Sequence, residues 1–110
     1  MRRMMPFLVA AAFCAPVAVA QEIGSAKLGE QYARERCADC HAIDRQTQVS
    51  PDRNAPRFEV IANTPGMTSI ALSAWMYTSH KDMPNLIVKS PDLENVIAWI
   101  TSLKSRPEGR

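Results

Sequence analysis

The chain has 110 residues, with 13 Lys and Arg against 11 Asp and Glu. That is room for one domain, and a core this small commonly needs a staple or a cofactor to be stable. Arg2 and Arg3 account for two of the basic residues while every acid lies downstream, so the chain beyond residue 20 is balanced, 11 against 11; the formal charge therefore gives no footprint of nucleic-acid binding.

The N-terminus opens on Met1-Arg2-Arg3 and runs through an apolar stretch to Ala18-Val19-Ala20, followed by Gln21-Glu22. A positive start, an apolar centre and small residues at the boundary form the pattern of a secretory signal peptide. Residues 1–20 are read as that leader, cleaved after Ala20, and 21–110 as the domain. A retained membrane anchor is the competing reading, but the apolar run is short and interrupted by Pro6 and Pro16, so stable membrane insertion after cleavage is not expected. Phe13 before Cys14 fits a lipoprotein boundary poorly, and the residues around Arg2-Arg3 match a twin-arginine signal poorly. The expectation is a periplasmic protein exported unfolded.

Ser25 is a plausible N-cap for a helix over 25–36, with Leu28 and Tyr32 on one stripe and Gly29, Ala33 and Cys37 on another. Small residues on the second stripe would let another element approach closely. The segment after His41 has two prolines, many polar residues and no apolar period, and reads as a loop. A short helical turn over 57–62 would point Phe58 and Ile61 inward. Thr68 or Ser69 would then cap a helix to about Ser79, with Leu72, Trp75 and Met76 on one side. Another loop leads to Ser90-Pro91, a capping residue and a proline at the first helical position. Leu93, Val96, Ile97, Ile100 and Leu103 follow a helical period, with Asp92 and Glu94 at the favourable N-terminus and Lys104 and Arg106 at the C-terminus. Strand signals are nearly absent. The predicted fold is all-α: three main helices plus a short helical turn.

Cys37, Cys40 and His41 form C-x-x-C-H, which admits three readings. A structural zinc site wants four ligands, commonly in two pairs. Here there is one pair, His80 is the only other histidine, and the adjacent Cys40-His41 step is awkward for one tetrahedral centre. A thioredoxin-like dithiol would open a helix beside a strand, whereas this pair follows a helix in a chain without a βαβ pattern. Haem attachment accounts for all three residues: two thiols make thioether bonds to the two vinyl groups, and the adjacent histidine is carried under the iron. Export fits it, and a large apolar ring would supply the centre of the core.

A sixth protein ligand would make such an iron an electron carrier. Met67 and Met76 lie beside or within a helix and read as core packing. Met83 sits in a loop before Pro84 and between the last two helices, and is assigned as the ligand, with His80 as its competitor. Pro56 is the candidate orienting partner of His41, because its carbonyl has no helical duty and can accept the imidazole N–H.

In these motifs the sequence resembles the class I c-type cytochromes over nearly all of residues 24–104. "CADCH" matches the haem-attachment motif, "APRF" looks like the family's Gly-Pro-x-Leu segment and "DMPN" like its distal methionine segment. The resemblance implies the cytochrome c fold around one covalently bound haem c, with Gly29 of the first helix packed against Trp99 of the last. It also leaves Arg45, Arg57, Trp75 and Tyr77 as candidate propionate partners. Ala33, with Tyr32 beside it, stands where many members carry an aromatic residue.

The expected function is a monomeric, periplasmic mono-haem carrier moving single electrons from a dehydrogenase or membrane complex to an oxidase or reductase. No general acid, nucleophile or paired-carboxylate site is visible, so no enzyme is expected. Two alternatives remain: a haem enzyme or gas sensor lacking a firm sixth ligand, and a dedicated cytochrome subunit of a periplasmic dehydrogenase.

Overall fold

The structure is a computed structural model that describes residues 23–78, 83 and 86–105. Helix α1 spans Ala26–Arg36, α2 Phe58–Ala62, α3 Ser69–Tyr77 and α4 Asp92–Ser102. Among the described residues there is no strand, so the class is all-α, with three longer helices and one of five residues. Residues 1–20, read above as a leader, lie outside the described residues, as does His80.

Helix α1 begins where its cap predicts. Ser25 has extended backbone, and its Oγ accepts from the Leu28 N–H at 3.4 Å. The buried stripe, however, is the one of small residues: Gly29 and Ala33 are buried, while Leu28 is 52% exposed. The reason is the approach of α4. A Cβ on Gly29 would lie 1.9 Å from the Asn95 carbonyl oxygen and 2.9 Å from Trp99 Cβ, so only glycine admits this crossing. One residue before the cap, Gly24 has φ +97° and would place a Cβ 2.3 Å from the Glu94 carbonyl oxygen. Between these glycines the Ser25 N–H donates to Asn95 Oδ1 at 2.8 Å, which gives the half-buried start of α1 a partner inside the fold.

Helix α4 is the common support, because α1, α2 and α3 each pack against it. It buries Leu93, Asn95, Val96, Trp99 and Ile100. Its start differs from the expected one: Pro91 itself is the N-cap, and Ser90 Oγ donates to Glu94 Oε1 at 2.8 Å instead of capping a backbone N–H. The core joins Ala33, Ile43, Phe58, Ala62, Leu72, Val96, Trp99 and Ile100. Ile43 comes from a segment with no apolar period, and Val88, also buried, from the loop before α4.

Helix α3 is capped by Thr68, whose Oγ1 accepts from the Ala71 N–H at 3.1 Å. It ends at Tyr77 with Thr78 as its C-cap, short of the expected Ser79. Leu72 is its single buried residue, whereas Ile70 and Tyr77 are 83% and 73% exposed and Trp75 is also exposed. The expected Leu72–Trp75–Met76 side thus enters the core at Leu72, with Met76 half-buried and Trp75 outside it. The end of α4 is tied down from other parts of the chain. Arg45 Nη2 donates to the Leu103 carbonyl at 3.2 Å, the Ser105 N–H donates to Asn63 Oδ1 at 2.8 Å, and Lys104 Nζ donates to the Met67 carbonyl. No helix among the described residues is long and apolar enough to cross a membrane.

Candidate functional site

The chain leaves α1 with one further hydrogen-bonded turn. The Cys37 N–H donates to the Ala33 carbonyl at 2.8 Å, closing the helix. The Cys37 carbonyl then accepts from both the Cys40 N–H at 3.2 Å and the His41 N–H at 2.9 Å. Cys37, Cys40 and His41 thus occupy one turn. Beyond it the loop folds back on the turn it came from. The Asp52 N–H donates to the Cys40 carbonyl at 3.1 Å, the Ala42 N–H to the buried Ser50 Oγ at 3.0 Å, and the Phe58 N–H to the Ala42 carbonyl at 3.2 Å.

This fold-back brings the Pro56 carbonyl oxygen to 2.6 Å from His41 Nδ1. A carbonyl can only accept, so Nδ1 carries the proton and donates it, and the lone pair is on Nε2. The ring is also set by stacking. Phe58 lies 4.8 Å from the imidazole centroid, tilted by 36°, and Trp99 meets Phe58 edge-on at 5.0 Å. The imidazole is therefore oriented from one side by a hydrogen bond and from another by an aromatic pair that runs to α4.

Cys37 and Cys40 are both free and half-buried. Burial pushes the Cys37 thiol up to about 11, with Arg36 opposing part of the shift. Its thiolate is then roughly one part in ten thousand at pH 7, unlike the activated thiol of a redox dithiol. Among the described residues no three His, Cys, Asp or Glu side chains are arranged to hold a metal ion. Met83 is half-buried, at a bend in the connection from α3 to α4.

On the outer side of the turn, Arg34 bridges Glu30 and Asp44. Its hydrogen bond holds the Asp44 carboxyl below the ordinary 3.8, and the two carboxylates raise the guanidinium in turn. A shallow cleft between α1 and α4, rimmed by Lys27, Arg34 and Asp44, lies here. Cys37, Cys40, His41, Pro56 and Met83 do not line it. Of the side chains implied as propionate partners, Arg45 reaches Leu103, as above, and Arg57 pairs with Glu59 at 3.5 Å.

Three contributors escape sequence reasoning. Ser50 is one polar residue among many in a polar loop, and Asp44 stands at no helical spacing from Arg34. Asn95 had a signal: a polar side chain one position before Val96 in the helix with the clearest apolar period. Compared with known proteins, the chain matches no protein family, no curated protein and no solved structure.

Proposed function

We propose that the chain is an exported electron carrier, a mono-haem c-type cytochrome of the periplasm, with residues 1–20 removed as a leader. The observation that carries this reading is the state of the Cys37–His41 turn: two free thiols and an imidazole whose Nδ1–H is committed to the Pro56 carbonyl, leaving Nε2 to bind a metal. That donor set fits haem c. A porphyrin brings four nitrogen ligands of its own, so one oriented imidazole and two thiols suffice where a zinc ion would need more protein ligands. Bound there, the haem would supply an iron that changes by one electron between Fe(III) and Fe(II).

In this reading Cys37 and Cys40 hold the ring covalently and His41 Nε2 is the proximal ligand. The Pro56 carbonyl keeps the imidazole in one tautomer and makes it a stronger donor. Met83 is the sixth ligand, closing the iron to small molecules and making the site a carrier rather than a binding centre. Exposed apolar side chains on either side of Met83 in the sequence, Tyr77 and Ile87, leave surface that an apolar ring or a protein partner would cover. The partners proposed are a dehydrogenase or membrane complex as donor and an oxidase or reductase as acceptor, met in brief encounters by a monomer.

The test is a redox titration of the exported protein followed by absorption spectroscopy. We expect one covalent haem, a weak near-infrared band of methionine on ferric haem, and no ready binding of carbon monoxide. Met83→Ala should abolish that band and admit carbon monoxide. Absence of covalent haem would overturn the reading. A Met83→Ala spectrum like that of the unaltered protein would favour the open-site enzyme or sensor instead.

A further inference from the structure

The side chain pressed on the His41 ring is aromatic. Phe58 and His41 have ring centroids 4.8 Å apart and planes tilted by 36°. Two rings lying edge to edge in one plane cannot bring their centroids so near, so the imidazole lies over the Phe58 face, the negative side of the ring's quadrupole. Phe58 has no room to turn away. It is 6% exposed, Trp99 at 4% meets it at 5.0 Å with planes 64° apart, and Ala62, Val96 and Ile100 join the same cluster. Its own N–H is bonded to the Ala42 carbonyl at 3.2 Å, one residue beyond His41. The charges that flank it in sequence, Arg57 and Glu59, pair with each other at 3.5 Å.

We propose that Phe58, buttressed by Trp99, sets the working potential of the carrier by stabilising positive charge on the His41 imidazole. The proposal rests on the haem reading above. With His41 Nε2 on the iron, the couple is Fe(III) + e⁻ → Fe(II). The electron comes from the reduced donor protein, and no proton moves, because Nδ1–H stays on the Pro56 carbonyl. In the ferric state the iron draws electron density from the imidazole, so the ring is more positive before the electron arrives than after it. An aromatic face within about 6 Å attracts positive charge, so Phe58 favours Fe(III) and holds the potential down. The Pro56 carbonyl, accepting from the same ring, pulls in the same direction. Burial acts oppositely, since an apolar wall disfavours the more highly charged ferric state. Replacing the ring by an aliphatic side chain therefore separates two effects of opposite sign: losing the π face raises the potential, whereas water let in by looser packing lowers it.

The experiment uses the exported, haem-loaded protein, titrated between its reduced and oxidised forms with dithionite and ferricyanide while absorption is recorded. Phe58→Leu keeps an apolar core residue, and leucine is what the Gly-Pro-x-Leu segment resembled by "APRF" carries at this place. It should shift the reduction equilibrium toward Fe(II) about two- to tenfold, a rise of about 20–60 mV at about 59 mV per decade for one electron. Phe58→Met, a second non-aromatic variant, should rise likewise, while Phe58→Tyr, which keeps the face, should stay near the unaltered value. The near-infrared band of methionine on ferric haem should be the same in every variant, showing that no ligand has changed. An unchanged or lowered potential in Phe58→Leu or Phe58→Met would overturn the proposal. So would a Phe58→Tyr rise equal to theirs, or a rise accompanied by loss of the methionine band. In those cases the haem reading stands, because the variants still carry covalent haem; an unaltered chain without haem would remove that reading instead.

Discussion

Replacing Gly29 by alanine adds one carbon where α1 crosses α4, and the structure says where that carbon goes. It would meet the Asn95 carbonyl oxygen at 1.9 Å, the Asn95 carbonyl carbon at 2.4 Å and Trp99 Cβ at 2.9 Å. Two of these three are backbone atoms of a buried helix, and no rotamer change relieves them. Overpacking of a core costs about 1–3 kcal/mol, and a backbone obstacle puts this site at or above the upper end. Alanine returns roughly 1 kcal/mol through its better helix propensity. The net expectation is a loss of about 2–3 kcal/mol, which in a domain of this size lowers the melting temperature by roughly 10–20 °C. Thermal unfolding followed by far-ultraviolet circular dichroism measures it. Gly66 supplies the control: it has φ +78° and nothing within 4 Å of an added Cβ, so Gly66→Ala carries only the left-handed backbone cost of roughly 1–2 kcal/mol. A Gly29→Ala protein no less stable than Gly66→Ala would refute the argument, since α1 and α4 could then not be in backbone contact.

Asn95→Leu keeps the branched shape of the side chain but removes the acceptor of the Ser25 N–H. The N–H left unpaired should cost about 1–3 kcal/mol, read by urea denaturation, with α1 amides near residue 25 losing protection from hydrogen exchange. In the haem-free chain the raised Cys37 thiol makes stability depend on alkaline pH. Because its folded value lies at about 11 against an ordinary 9.0, its contribution is full below pH 9 and is lost as pH rises through 11. Unfolding titrations of the haem-free chain should therefore show stability falling over that window, and Cys37→Ser should flatten the fall. In the haem-loaded protein Cys37 would be a thioether that does not titrate, so the same window should be flat.

Much of the secondary structure was legible because its determinants are local. Ser25 and Thr68 announce the starts of α1 and α3 by side-chain oxygens placed three residues before an orphan N–H, and the apolar period of α4 needs no partner to be seen. The C-x-x-C-H spacing likewise puts two thiols and an imidazole within one turn. The failures are at places where the neighbour, not the sequence, chooses. Leu28 is apolar and lies on a regular stripe yet stays 52% exposed, because α4 packs on the small stripe of Gly29 and Ala33, as their size allowed. Ser90 looks like a cap, yet it is engaged by Glu94.

By itself, then, the sequence determined the all-α class, the order of the helices and the turn on which Cys37, Cys40 and His41 stand, because each follows from contacts within about four residues. Only the tertiary structure decided that Asn95 partners Ser25, that Ile43 enters the core and that Arg34 grips Asp44, whereas the Pro56 carbonyl beside the His41 ring was named in advance. These contacts join residues 10 to 70 positions apart. The first of them lies where the backbones of α1 and α4 pack closely, a distance that glycine at position 29 permits and that no periodicity records.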